Sequence, residues 1–310
     1  MKRVTFIVIA GILLTSCGTP SIPAATPTET SQVFLEDVPT PTNTLSLPAA
    51  TDVLPTPSAT FSPDAWQIMP VVPVGVSERM MEVYQNGIVR GRDSNRFSKL
   101  GDCQNIDTYF LYIFDNGDYQ LGEQYAYLHP TIEHFSGSWS RDSIAVISGS
   151  NVASVQTLYW SDPVQCSKDE TPMACEIRKY NPSIALISFE TWWGKKPAAL
   201  YEDRLSSMVE YVLSQDVVPI LATKADNTEG DNSINAAIAR VAIKYEVPLW
   251  NFWAASYPLP NHGLSNDGFH LTFARNIFDD PSHMEYAWPW RNLTALQAID
   301  AVYRALNDIK

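Results

Sequence analysis

Basic residues are scarce in this 310-residue chain: 21 Lys and Arg stand against 34 Asp and Glu, a formal charge of −13. With no basic patch to offset that sign, neither nucleic acid nor an anionic lipid surface is an expected electrostatic partner. Long apolar runs are missing too. The run from Val4 to Leu14 is too short to span a bilayer as a permanent helix. Cysteines number four, with no C-x-x-C, and the five His are scattered without an H-E-x-x-H. The chain therefore carries no metal-ligand spacing, and neither a metal nor another cofactor is expected. Residues 18–62 contain no Lys or Arg and are rich in Pro, Thr, Ser and Ala. Such a segment cannot bury enough apolar surface to offset its ordering entropy and is expected to be an extended tether.

The N-terminus has a plan of its own. Lys2 and Arg3 precede the apolar run, which ends in Leu14-Thr15-Ser16-Cys17. This resembles a bacterial lipobox, which implies that residues 1–17 are a lipoprotein signal in which Cys17 is lipidated and becomes the first mature residue. Losing Lys2 and Arg3 takes the formal charge from −13 to −15. The expected location is the extracellular face of a bacterial membrane, held by the lipid alone. Residues 63–310 remain, ample for one α/β domain with a full core, expected to be a monomer. Outside the cell free thiols need a reason. Cys166 and Cys175 flank a polar loop and are the natural disulfide, which leaves Cys103 as either an inert buried thiol or a reactive one.

Along the domain, a helix is expected from Glu78 to Asn86, closed by Gly87, then a strand from Phe97 to Leu100. Asp115 to Asp118 reads as a turn, and Pro130 to Phe135 as a helix. Strands are expected at Ser143–Ser148, Ser183–Phe189, Val217–Thr223 and Pro248–Phe252. Helices are expected at Val152–Leu158, Ala199–Ser214, Ser233–Tyr245 and Thr294–Asn307. Buried strands alternating with amphipathic helices predict a three-layer α/β/α sandwich around a mostly parallel sheet. Ligands of such sheets bind at the carboxyl ends of the strands.

Three motifs fall at those ends or in the last loop. Gly101-Asp102-Cys103 follows the first strand, Gly149 follows the next, and Asp267-Gly268-Phe269-His270 lies near the C-terminus, with Leu271-Thr272 after it. An Asp three residues before a His can orient the imidazole while the His takes a proton from a nucleophile. In these motifs the chain from Phe97 to Lys310 resembles the SGNH/GDSL hydrolases, esterases and lipases of α/β/α architecture. The resemblance implies a nucleophile at Cys103 where the family has Ser, a base at His270 and an orienting Asp267. It also implies an oxyanion hole that includes the N–H groups of Cys103 and Gly149. The family's third block, often Gly-x-Asn-Asp, is replaced by Phe189-Glu190-Thr191-Trp192-Trp193, which removes the Asn donor. Asn105 or Asn151 is an expected substitute. A neighbouring imidazolium is expected to lower the thiol pKa enough to form a thiolate near neutral pH.

Each residue also has a structural reading. Asp102 is expected to cap the loop that presents Cys103. Glu190 is either a substrate contact or a solvated strand-end carboxylate. Trp192, Trp193, Trp288 and Trp290 either stack on sugar rings or acyl chains or simply pack the core and rim. These readings lead to an anchored hydrolase acting on acyl or acetyl esters, O-acetylated polysaccharide among them, by a Cys-His-Asp mechanism. The alternatives are an inactive protein of the same fold that binds glycan or lipid, or a solute-binding lipoprotein.

Overall fold

Ser77 opens the first helix, α1 (Glu78–Val89), by accepting a hydrogen bond from the Met80 N–H. The computed structural model describes residues 64–192 and 196–309; the signal segment with Cys17, the tether and Trp193 lie outside the described residues. Helix α1 runs past Gly87, so that glycine is no cap. A Cβ there would lie 2.3 Å from the Asp216 carbonyl oxygen, and its absence lets the helix approach that turn.

Strand β1 (Asp93–Gly101) follows, then helices α2 (His129–His134) and α3 (Pro172–Tyr180). Strand β2 (Pro182–Ser188), helix α4 (Ala198–Ser214), strand β3 (Val218–Ala222) and helix α5 (Ser233–Tyr245) come next. Strand β4 (Leu249–Trp250) and the long helix α6 (Ala287–Leu306) complete the main elements. The four strands pair in the order β1-β2-β3-β4, every pair parallel. All seven residues of β2 are buried, the continuous apolar pattern of a strand covered on both faces. Helices α4 and α5 pack together, as do α1 and α6, which gives the expected α/β/α layers.

Four local expectations are corrected. Residues 143–148 form no strand; their only strand-type pairing with β1 among the described residues is the isolated bridge Gly101–Val146. Side chains take the backbone groups that a ladder needs: the Ile144 N–H donates to Glu176 Oε2 and the Ala145 N–H to Ser143 Oγ. Residues 152–158 form short 3₁₀ turns instead of a helix. Phe252 starts a short helix instead of ending β4, because the Asn251 side chain accepts from the Ala254 N–H. Helix α6 begins at Ala287, seven residues before Thr294.

Helix α3 was not anticipated, yet its ends are marked in the sequence. Thr171 caps it through the Ala174 N–H, Pro172 fills the first turn, and Asn181 closes it at φ 56°. Cys175 on this helix is bonded to Cys166 as expected. Closing so short a loop stabilises the fold by about 2–3 kcal/mol.

Candidate active site

Strand β1 delivers its motif through a tight turn. Gly101 is pressed against its neighbours: a Cβ would lie 2.2 Å from Asn105 Nδ2 and 2.6 Å from the Ser188 carbonyl oxygen. Asp102 then caps the single 3₁₀ turn Cys103–Asn105, accepting from the Gln104 N–H. Its other carboxylate oxygen accepts from the Glu190 and Thr191 N–H groups at 2.8 and 2.6 Å. This buried carboxylate ties the ends of β1 and β2 together, so Asp102 is the structural residue expected.

The second motif folds on itself. Asp267 Oδ1 accepts from the Phe269 and His270 N–H groups, each at 3.0 Å, and Oδ2 lies 2.6 Å from His270 Nδ1. Gly268 allows the turn with φ +71°. The His270 bond and the two backbone donors pull the Asp267 carboxyl down to about 2, so it stays anionic across the working range. With Nδ1 engaged, Nε2 is the imidazole atom left for proton transfer. Gln104 Nε2 donates to the Phe269 carbonyl at 3.1 Å, which fastens this loop to the turn that carries Cys103.

Cys103 and His270, 167 positions apart, therefore line one cavity of about 590 Å³. Its other walls include Gln104, Tyr109, Phe273 and Trp288. The thiol is not the activated group expected from the sequence. Partial burial pushes the Cys103 pKa up to about 11, the Asp102 and Glu190 carboxylates add to the shift, and a hydrogen bond from Thr191 offsets only part of it. A raised thiol pKa means that at pH 7 only about one molecule in ten thousand holds a thiolate. Alkylation of Cys103 by iodoacetamide, followed by mass spectrometry, should therefore be slow at pH 7 and quicken about tenfold per pH unit toward 11. A rate that levels off near neutrality would instead reveal a thiolate–imidazolium pair.

Other expected site residues take different places. Glu190 is 2% exposed and meets Arg291 of α6 at 2.8 Å, so it lies beneath the site and not on a solvated or substrate-facing surface. The Asn105 amide donates to the Ser188 carbonyl at 2.8 Å and is spent there. Asn151 Oδ1 accepts from the Ala153 and Ser154 N–H groups, which leaves its Nδ2 without a hydrogen bond among the described residues. Gly149 is exposed in a left-handed turn, φ +77°. Trp192 donates its indole N–H to the Lys196 carbonyl at 3.3 Å and packs edge-on against Tyr201. It lines a neighbouring cavity with Thr191, Glu229, Asp231 and Phe269, and is not among the residues that line the cavity of Cys103. Trp290 donates to the Met284 carbonyl.

Sequence reasoning passed over Tyr109, Phe273, Gln104 and Arg291. Phe273 and Gln104 stand within three residues of a motif, the only signal that the sequence offers for any of them. One group of metal-type ligands, Cys166, Glu170 and Cys175, occurs among the described residues, but its two sulfurs are bonded to each other.

No protein-family model matches the chain, and no curated protein matches its sequence. Among solved structures, a GDSL-like lipase from Bacteroides thetaiotaomicron is similar at TM-score 0.41 and 14% identity, covering 71% of this chain and 97% of its own. TesA is similar at TM-score 0.38 and 16% identity, covering 65% of this chain and 99% of its own. At such scores the likeness describes shape alone, and the chemistry below rests on the side chains of this site.

Proposed function

We propose that the chain is a lipid-anchored extracellular hydrolase of acyl or acetyl esters, with Cys103 as nucleophile, His270 as base and Asp267 as the residue that orients it. One observation carries the reading: Cys103 and the Asp267-bonded His270 face the same cavity. An ester carbonyl seated there would meet a thiol on one side and Nε2 on the other.

With the thiol protonated at neutral pH, attack and proton transfer go together, as they do for a serine. Sulfur bonds to the carbonyl carbon while its proton passes to His270 Nε2. The tetrahedral intermediate places its negative charge on the former carbonyl oxygen. The N–H groups of Cys103 and Gly149 and the unengaged Asn151 Nδ2 are the donors this reading assigns to that oxygen. Collapse expels the alcohol, which takes the proton back from His270 and leaves a thioester on Cys103. Water, deprotonated by His270, then releases the acid and restores the thiol. Anchored outside the cell, such an enzyme would meet O-acetylated polysaccharide, the substrate class that this reading favours.

The test is hydrolysis of 4-nitrophenyl acetate by the full chain. The wild type should turn over, and Cys103→Ala should lose essentially all of the rate above buffer. Full activity in Cys103→Ala would sink the assignment of the nucleophile. No turnover by the wild type would replace the enzyme with a glycan- or lipid-binding protein on the same fold.

A further inference from the structure

The cavity of Cys103 has a composition that the acid–base pair does not explain. Tyr109 stacks on Trp288 with ring centroids 5.6 Å apart and planes inclined by 28°. Phe273 meets Tyr109 edge-on at 6.4 Å. Tyr109 is 45% and Phe273 60% exposed, so their rings form an open apolar shelf and not a closed slot. Trp288 is held from behind: the Arg291 guanidinium, wholly buried, lies 6.0 Å from its ring centroid. Trp288 lies on α6, which fixes the inner end of the shelf in the cavity that His270 also lines.

One polar fact narrows what it takes. No carboxylate, Lys or Arg is among the residues that line this cavity, so it offers a charged substrate no counter-ion.

Resting on the ester-hydrolase reading, we infer that this cavity is a subsite for the neutral pyranose ring of an O-acylated sugar. The ring lays its C–H face on the shelf of Tyr109, Phe273 and Trp288, and its hydroxyls stay in water at the open edge. The assignment follows from chemistry as well as shape. His270 must hand its proton to the leaving oxygen, so the alcohol part of the ester, not the acyl part, lies on the His270 side, where the aromatic rings are. On a shelf this open, an acyl chain or an aryl ring would leave apolar surface in water, whereas a sugar has an apolar face for the rings and hydroxyls that keep their hydration.

The experiment compares three esters with the full-length protein: methyl 6-O-acetyl-glucopyranoside, the methyl glycoside of an O-acetylated uronic acid, and propyl acetate. The neutral sugar ester should show a KM at least about tenfold below that of the other two. Tyr109→Ala and Phe273→Ala should each raise KM for the sugar ester about tenfold and raise that for propyl acetate several-fold less. Binding of the neutral sugar ester to Cys103→Ala, followed by tryptophan fluorescence, supplies a readout free of turnover. If no ester is hydrolysed but the neutral sugar still binds and Tyr109→Ala weakens it, the subsite stands and the hydrolase reading fails. If propyl acetate is hydrolysed as well as the sugar ester, or if the uronic acid ester matches the neutral sugar in KM, the enzyme stands and the subsite is overturned. Equal losses on all esters in the two aromatic variants would also overturn it.

Discussion

His270→Ala should lower kcat/KM for 4-nitrophenyl acetate by about a thousandfold, within the range that a positioned general base contributes. The loss should be severe because the Cys103 thiol, with its pKa pushed up to about 11, is almost entirely protonated at pH 7 and needs a base to lose its proton during attack. An activated thiolate would survive loss of the base far better, so the size of the effect reports the mechanism. Asp267→Asn should cost less, about ten- to a hundredfold. The Asp267–His270 pair is exposed, 51% and 64% by side chain, so water competes with the carboxylate in orienting the ring. The asparagine also keeps an acceptor for the Phe269 and His270 N–H groups that shape the loop. Steady-state kinetics of both variants checks the order. A drop below tenfold in His270→Ala would remove this residue from the chemistry.

Glu190→Ala should destabilise the fold by about 3–5 kcal/mol, the largest stability effect expected of a single polar side chain here. Arg291 is fully buried and boxed by aromatic rings, with Phe110, Phe252 and Trp250 at 4.8, 5.1 and 5.4 Å from its guanidinium carbon. Its Nη2 bonds Glu190, Ser188 and, at 3.4 Å, Asn105. Removing Glu190 strands a cation that water cannot reach, and ring faces recover only part of its lost solvation. Burial pushes the Glu190 carboxyl up, and the Arg291 guanidinium offsets only part of that rise. The pair is thus held by its geometry, not by any intrinsic gain from burying two charges. The double replacement Glu190→Leu with Arg291→Met should therefore be less costly than Glu190→Ala alone. Urea unfolding of the three proteins decides it: a Glu190→Ala midpoint shift worth under about 1 kcal/mol would show that the pair does not hold the fold.

The legibility of this chain varies with the range of the forces involved. Helix α5 was readable to the residue, Ser233 to Tyr245, because the helical repeat and its ends are local. Strands β2 and β3 were readable to within a residue at each end from their unbroken apolar runs. The Asp267–His270 bond was readable for the same reason, since both partners sit in one turn. Residues 143–148 were misread as a strand because the competing partner, Glu176, lies more than thirty positions away. The sequence alone determined the layered α/β architecture and the disulfide between Cys166 and Cys175. Periodicity, capping and motif chemistry act between near neighbours, so they survive in a one-dimensional record. Only the tertiary structure decided that Glu190 turns inward to Arg291, that Asn105 is spent on Ser188, and that Tyr109, Phe273 and Trp288 form the wall beside His270. Burial and desolvation set those outcomes, and both depend on which distant segments the fold brings into contact.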